Sequence, residues 1–285
     1  MREGKNDLNR MTQAASGDLT DTRSPSRESD RMRGSRWRTA TRYSLLELAR
    51  NRLAFGLLVV FVPVWYALLA SLITPQPVPF RLDATGAALQ VNGRNLTVLT
   101  AGFNALTLIV GFLIFASTRK GSRFDRRLVL AGYPQLTLLL AKVTALVVAS
   151  GVIALYADLV LLAFWRPESF ALVWLGFFCA ALAYGTLGLL MGVLVTSELA
   201  GFFVIIMVSL MDTFLQNPVE NPVANKPFLK AFPSYGAMQV GAAGGFTHTL
   251  PGVALLVGLA WSVGFAAIGL SVFWWRTRPR GQVAS

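Results

Sequence analysis

The sequence predicts an all-α membrane protein with six transmembrane helices and cytoplasmic N- and C-termini. Apolar runs of about 20 residues recur along the 285-residue chain, the length an α-helix needs to cross a hydrocarbon core of ~30 Å. Hydrophobic residues make up 54% and charged residues only 14%, too apolar a balance for a soluble globule. The net charge of +12 collects between the apolar runs rather than inside them. Open sheets are excluded because their unpaired backbone groups cannot enter lipid. The alternating ten-residue pattern of an outer-membrane barrel is missing.

Residues 1–35 are rich in Arg, Asp, Ser and Thr and nearly free of apolar residues, which predicts a disordered cytoplasmic tail. Residues 36–52 mix Arg with Trp37, Tyr43, Leu45, Leu46 and Leu48, the pattern of an interfacial amphipathic segment. The six-helix domain then occupies 53–275. Span one covers Leu53 to Ile73, with Pro63 expected to kink it. Pro75, Pro77 and Pro79 end it, and a polar loop follows. Span two runs from Thr97 to Ser117.

The segment 119–134 organises the rest. Arg119, Lys120, Arg123, Arg126 and Arg127 crowd its start. Each such charge at mid-bilayer costs at least ~2.5 kcal/mol, so the segment is expected outside the hydrocarbon. Ser122 and Asp125 have capping-box spacing. Phe124, Leu128 and Ala131 fall on one helical face, with Asp125 and Arg126 pointing away from it. Gly132 suits a helix end and Pro134 the first turn of the next helix. The expectation is a separate short surface helix. It is either a solvated basic loop that fixes topology or a contact surface for a cytoplasmic partner.

Span three runs from Pro134 to Trp165, and its Lys142 is expected to snorkel to the cytoplasmic interface. Span four, Phe170 to Val195, carries Gly185, Gly188 and Gly192, the last two in GxxxG spacing. Thr196-Ser197-Glu198 is a minimal turn in which Ser197 can cap span five, Leu199 to Gln216. Residues 217–250 are Pro- and Gly-rich, and too long for a structureless loop in a compact protein. Short interfacial or re-entrant helices are expected there. Span six, Pro251 to Trp275, ends in Trp274-Trp275 and a basic tail, 276–285. Thirteen Arg and Lys flank the spans on the side of both termini, against five on the other. The positive-inside rule therefore places both termini in the cytoplasm and 217–250 outside.

The charge flanks spans, so it points to a lipid bilayer and not to nucleic acid. No GxxxxGK[ST], GxSxG or HExxH motif occurs, and the single Cys179 and single His248 cannot build a disulfide or a metal cluster. No catalytic, cofactor-binding or metal residue is expected. Asp158 and Asp212 lie inside spans, where carboxylates are functional candidates by default. They either line a path for a cationic substrate or pair with Ser, Thr or Tyr hydroxyls in the bundle. Gly188 and Gly192 either line that path, pack helices together, or form a subunit interface.

Taken together, these features resemble a permease subunit of the type-2 ATP-binding-cassette exporters, over residues 41–275. Carrying the resemblance are Arg50-Asn51-Arg52 at the mouth of span one, the basic segment closing with Gly132-Tyr133-Pro134 and followed by Lys142, the small-residue-rich span four, its Thr196-Ser197-Glu198 link to span five, and the long last outer segment. Where many members of the family begin the basic segment with acidic residues before Gly-Thr, this chain has Arg119-Lys120-Gly121-Ser122. The resemblance implies a plasma (inner) membrane permease acting with a separate ABC ATPase subunit and with a second permease copy or paralogue. ATP and Mg would be held by the ATPase, and no cofactor by this chain. It further implies that Arg123, Phe124, Arg126, Arg127 and Leu128 couple the permease to the ATPase. The substrate would be hydrophobic or amphipathic: a drug, a lipid or a natural product. The competing expectation is an ion-gradient-driven secondary transporter, but no inverted repeat stands out in the sequence.

Overall fold

The computed structural model describes residues 25–216 and 227–277. The side chains of 25–36, 53, 54, 123, 124, 126, 135, 227, 273, 276 and 277 lie outside that description. In chain order the elements are α1 (Pro25–Ala49), α2 (Arg52–Leu72), β1 (Pro77–Leu82), β2 (Ala87–Asn92), α3 (Gly93–Leu130), α4 (Gln135–Leu161), α5 (Phe170–Leu194), α6 (Glu198–Gln216), a 3-10 turn (Pro227–Ala231), α7 (Pro233–Phe246) and α8 (Gly252–Thr277). Helices α2, α3, α4, α5, α6 and α8 are long and apolar enough to cross a membrane, matching the six expected spans. Helix α1 begins at Pro25, inside the stretch read from sequence as disordered. Residues 1–24 lie outside the described residues.

The six spans are not equivalent. The apolar windows of α3 and α5 are 89% and 78% buried, whereas those of the other four are 17–44% buried. Two helices therefore form the interior and four wrap them. The reason lies in side-chain size. In lipid, helices gain nothing by hiding apolar surface from one another, so close contact between small residues holds them together. At Gly188 a Cβ would collide with the carbonyl oxygen of Gly111, and at Gly192 one would lie 2.7 Å from Cβ of Thr118. The GxxxG pair is thus the seam between α5 and α3.

Three features depart from the sequence expectation. The loop after Pro75 folds into an antiparallel hairpin in which Phe80 pairs with Leu89 and Pro77 with Asn92. Prolines 77 and 79 are tolerated because a two-stranded ribbon is all edge. The Asn92 side chain then caps α3 by accepting from the Arg94 backbone N–H at 3.0 Å. Second, α3 continues unbroken through Ser117 and Gly121 to Leu130, so the basic segment is the end of a span and not a separate helix. Ser122 Oγ donates back to the Arg119 carbonyl and caps nothing. The helix ends at Gly132, whose φ of +87° suits glycine. Third, α7 is buried within the bundle, packed on α5 and α8. Residues 217–226 lie outside the described residues.

Candidate functional site: a groove and a basic end

Two places on the bundle differ from ordinary lipid-facing surface. The first is a groove of about 660 Å³ between α2, α3 and α6. Met211 and Phe214 are exposed along it, and Trp65, Thr100, Asn104 and Thr213 lie among its apolar walls. Its floor is a polar seam. Asn104 Nδ2 donates to Thr213 Oγ1 at 2.8 Å, and one turn along, Thr107 and Ser209 share a 2.6 Å hydrogen bond. These bonds tie α6 to α3, where small side chains leave room for them. Two buried polar atoms of groove residues, Asn104 Oδ1 and Trp65 Nε1, have no hydrogen-bond partner among the described residues. One is an acceptor and the other a donor. Water or a ligand normally satisfies such buried groups.

The second place is the basic end of α3. The Arg119 guanidinium donates to the carbonyls of Val195 and Thr196 at 2.5 and 2.6 Å. It thereby caps the end of α5 and pins the short turn into α6. Within that turn Ser197 Oγ accepts from the Ala200 backbone N–H at 3.4 Å, as expected of a cap. Lys142 on α4 forms an ion pair with Asp125 on α3. This corrects one expectation: Asp125 turns inward and is buried, where its partner is Lys142. Glu47 of α1 joins them: its Oε1, Lys142 Nζ and Asp125 Oδ2 all lie within 3.6 Å of where a Cβ on Gly121 would sit. Partial burial pushes the Glu47 carboxyl above its ordinary pKa, while the Lys142 ammonium pulls it the other way. The three side chains meet where α1, α3 and α4 come together, Asp125 buried, Lys142 partly buried and Glu47 exposed.

Of the five residues expected to couple to an ATPase, Arg127 is exposed and Leu128 is partly buried on the last turns of α3. The side chains of Arg123, Phe124 and Arg126 lie outside the described residues. The four residues expected along a path lie within the helix packing. Gly188 and Gly192 fill the α3–α5 seam. Asp212 is 1% exposed and accepts from Tyr184 Oη at 2.6 Å, Ser234 N–H at 2.9 Å and Ser234 Oγ at 2.7 Å. Asp158 is fully buried on α4, and neither carboxylate oxygen has a hydrogen-bond partner among the described residues. None of the four lines the groove. The physical reason is packing: glycine spacing drew α5 onto α3, and nearby hydroxyls drew Asp212 inward.

Trp65, Asn104 and Thr213 were missed by sequence reasoning. The available signal was a single Asn in the middle of an apolar run, where an amide is costly unless satisfied.

Fold and groove together define a multi-pass helical membrane protein with a partly polar cleft open along one side. The family model described as ABC-2 type transporter matches residues 35–233, from within α1 to the start of α7. The chain belongs to the ABC-2 type transporter family, whose members are membrane components of transporters. No curated protein matches it.

Proposed function

We propose that this chain is the permease subunit of an ATP-driven exporter in the plasma membrane. It works beside a second copy or a paralogue and takes energy from a separate ABC ATPase that holds ATP and Mg. The groove between α2, α3 and α6 is one wall of the path, and its second wall comes from the partner permease. A mostly apolar surface with an unpaired acceptor and donor suits a hydrophobic or amphipathic substrate carrying a few polar groups.

The observation that carries this reading is the continuity of α3. One helix bears Asn104 in the groove and Arg127 at the basic end, about 35 Å apart at 1.5 Å per residue. A helix that keeps its hydrogen bonds curves only gently. Movement imposed at Arg127 by a docked ATPase therefore reaches Asn104 as tilt or translation of a rigid rod. The Glu47–Asp125–Lys142 junction carries the same movement to α1 and α4.

Replacing Arg126 and Arg127 together with Glu tests the docking end. The double variant is expected to insert normally and to lose co-purification of its ATPase. A double variant that still holds the ATPase and still exports would remove the coupling role from this end.

A further inference from the structure

We propose that the cavity between α1, the end of α3 and the start of α4 binds the headgroup and upper chain of an anionic phospholipid. The cavity measures about 650 Å³, within the range of specific ligand sites of roughly 300–1,000 Å³. Its lining changes character with depth. Arg50 and Lys120 are exposed at the mouth beside Tyr43, which is 70% exposed. Leu138 and Leu113 are buried further in. Basic side chains over an apolar slot, with a tyrosine at the rim, match the profile of a phospholipid crossing from headgroup to chain.

Charge decides the headgroup. The cavity is also walled by Glu47, Asp125 and Lys142. Asp125 is taken up by its ion pair with Lys142, so its carboxylate does not repel an incoming anion. Glu47 faces the same ammonium and Lys120 as well. Among the described lining residues Arg50, Lys120 and Lys142 outnumber the two carboxylates, and the cations exposed at the mouth are Arg50 and Lys120. A zwitterionic headgroup would bring its own cation against them, and a phosphate with an uncharged substituent would not. A small free anion could use the mouth, but it would leave the leucine-lined slot empty. The cavity is therefore suited to a lipid already lying in the leaflet at that depth. Anchoring α1 through such a lipid would brace it against the α3–α4 junction. The inference holds whichever way the chain is oriented and whether or not it is an exporter, since it needs only a leaflet at the basic end.

The test uses the full-length protein in nanodiscs of equal phosphatidylglycerol and phosphatidylcholine, extracted gently and weighed intact by native mass spectrometry. The wild type is expected to retain phosphatidylglycerol well above its share. The double variant Arg50→Gln, Lys120→Gln should lower that preference by roughly thirtyfold, about fivefold for each basic residue lost near the surface. Ser44→Trp, which fills the cavity wall while leaving both charges, should lose the lipid as well. Equal retention of both lipids by the wild type, or a preference unchanged in either variant, overturns the site. ATPase co-purification measured on the same samples separates the two readings. Lost lipid with the ATPase still bound leaves the exporter reading standing, and retained lipid with no ATPase leaves the lipid site standing.

Discussion

Asp212 and Asp158 are both carboxylates in the interior of membrane-spanning helices, yet the regions around them are built in opposite ways. At the corner of α5, α6 and α7, Asp212 gathers Tyr184 and both donors of Ser234, with Gln216 as a further hydrogen-bond partner. On α4, Asp158 is just as buried and has no such partner among the described residues. Asp212 organises its surroundings: it fixes the start of α7 against α6 and gives the buried Tyr184 hydroxyl an acceptor. Asp158 organises nothing that the described residues reveal. Identity and depth are shared, so the difference comes from what the neighbouring helices offer. A buried carboxylate is a structural tie when donors converge on it and a free-energy burden when they do not.

The largest expected effect follows from the satisfied acid. Asp212→Leu would strand the Ser234 hydroxyl and amide and leave the Tyr184 hydroxyl only its longer contact, 3.4 Å, with the Val208 carbonyl. An abandoned buried donor costs about 1–3 kcal/mol, while hydrogen bonds between helices in membranes average nearer ~0.6 kcal/mol. A total loss of about 3 kcal/mol in denaturant unfolding from detergent is expected. Faster hydrogen exchange should appear across α7 first. A loss under about 1 kcal/mol would mean that the corner holds without its acid.

The opposite sign is expected for Asp158→Leu. Removing an unpartnered polar group from an apolar interior relieves a desolvation penalty of about 1–3 kcal/mol, offset by whatever strain the added branch brings. The net change should lie between zero and about 1 kcal/mol of stabilisation. A substantial loss in the same unfolding assay would show that Asp158 has an essential partner, and the contrast with Asp212 would collapse.

How much of this could be seen beforehand depends on whether a feature is local. The spans were legible because a helix in lipid must be long and apolar, and each expected end fell within a few residues of the structural one, apart from α3 and α4. The continuity of α3 was not legible. Gly121 reads as a break and Ser122 with Asp125 as a cap, and nothing local announces that Glu47 and Lys142 close in on Gly121 from two other helices. The hairpin was hidden because Pro77 and Pro79 read only as breakers, although an edge strand accepts them. The inward turn of Asp125 and the groove pair Trp65 and Asn104 are tertiary facts. Periodicity names the face a residue occupies, and the partner helix decides what that face meets.

A partly buried carboxylate, Asp83, extends the comparison to its weakest case. Asp83, in the turn between β1 and β2, accepts from Lys230 Nζ at 2.8 Å and from Tyr235 Oη at 3.1 Å. Beside it the Ala84 amide donates to Gln239 Oε1 at 3.1 Å. These contacts fasten the hairpin to the 3-10 turn and α7. The Lys230 hydrogen bond, and less so that of Tyr235, hold the Asp83 carboxyl below its ordinary value of 3.8. Because the folded value is the lower one, the contribution is fully present above pH 3.8 and disappears as pH falls through the depressed folded value. Lys230 is nearly half exposed, so solvent screens the pair and about 0.2–1 kcal/mol is expected. Asp83→Asn keeps an acceptor for Tyr235 but drops the charge that Lys230 meets. Acidification from pH 5 to pH 3 should therefore lower the protection of the 83–86 amides, measured against their intrinsic exchange rates at each pH, more in the wild type than in the variant. Identical acid profiles would show that hydrophobic contacts such as Phe80 against Phe246 hold the hairpin down unaided.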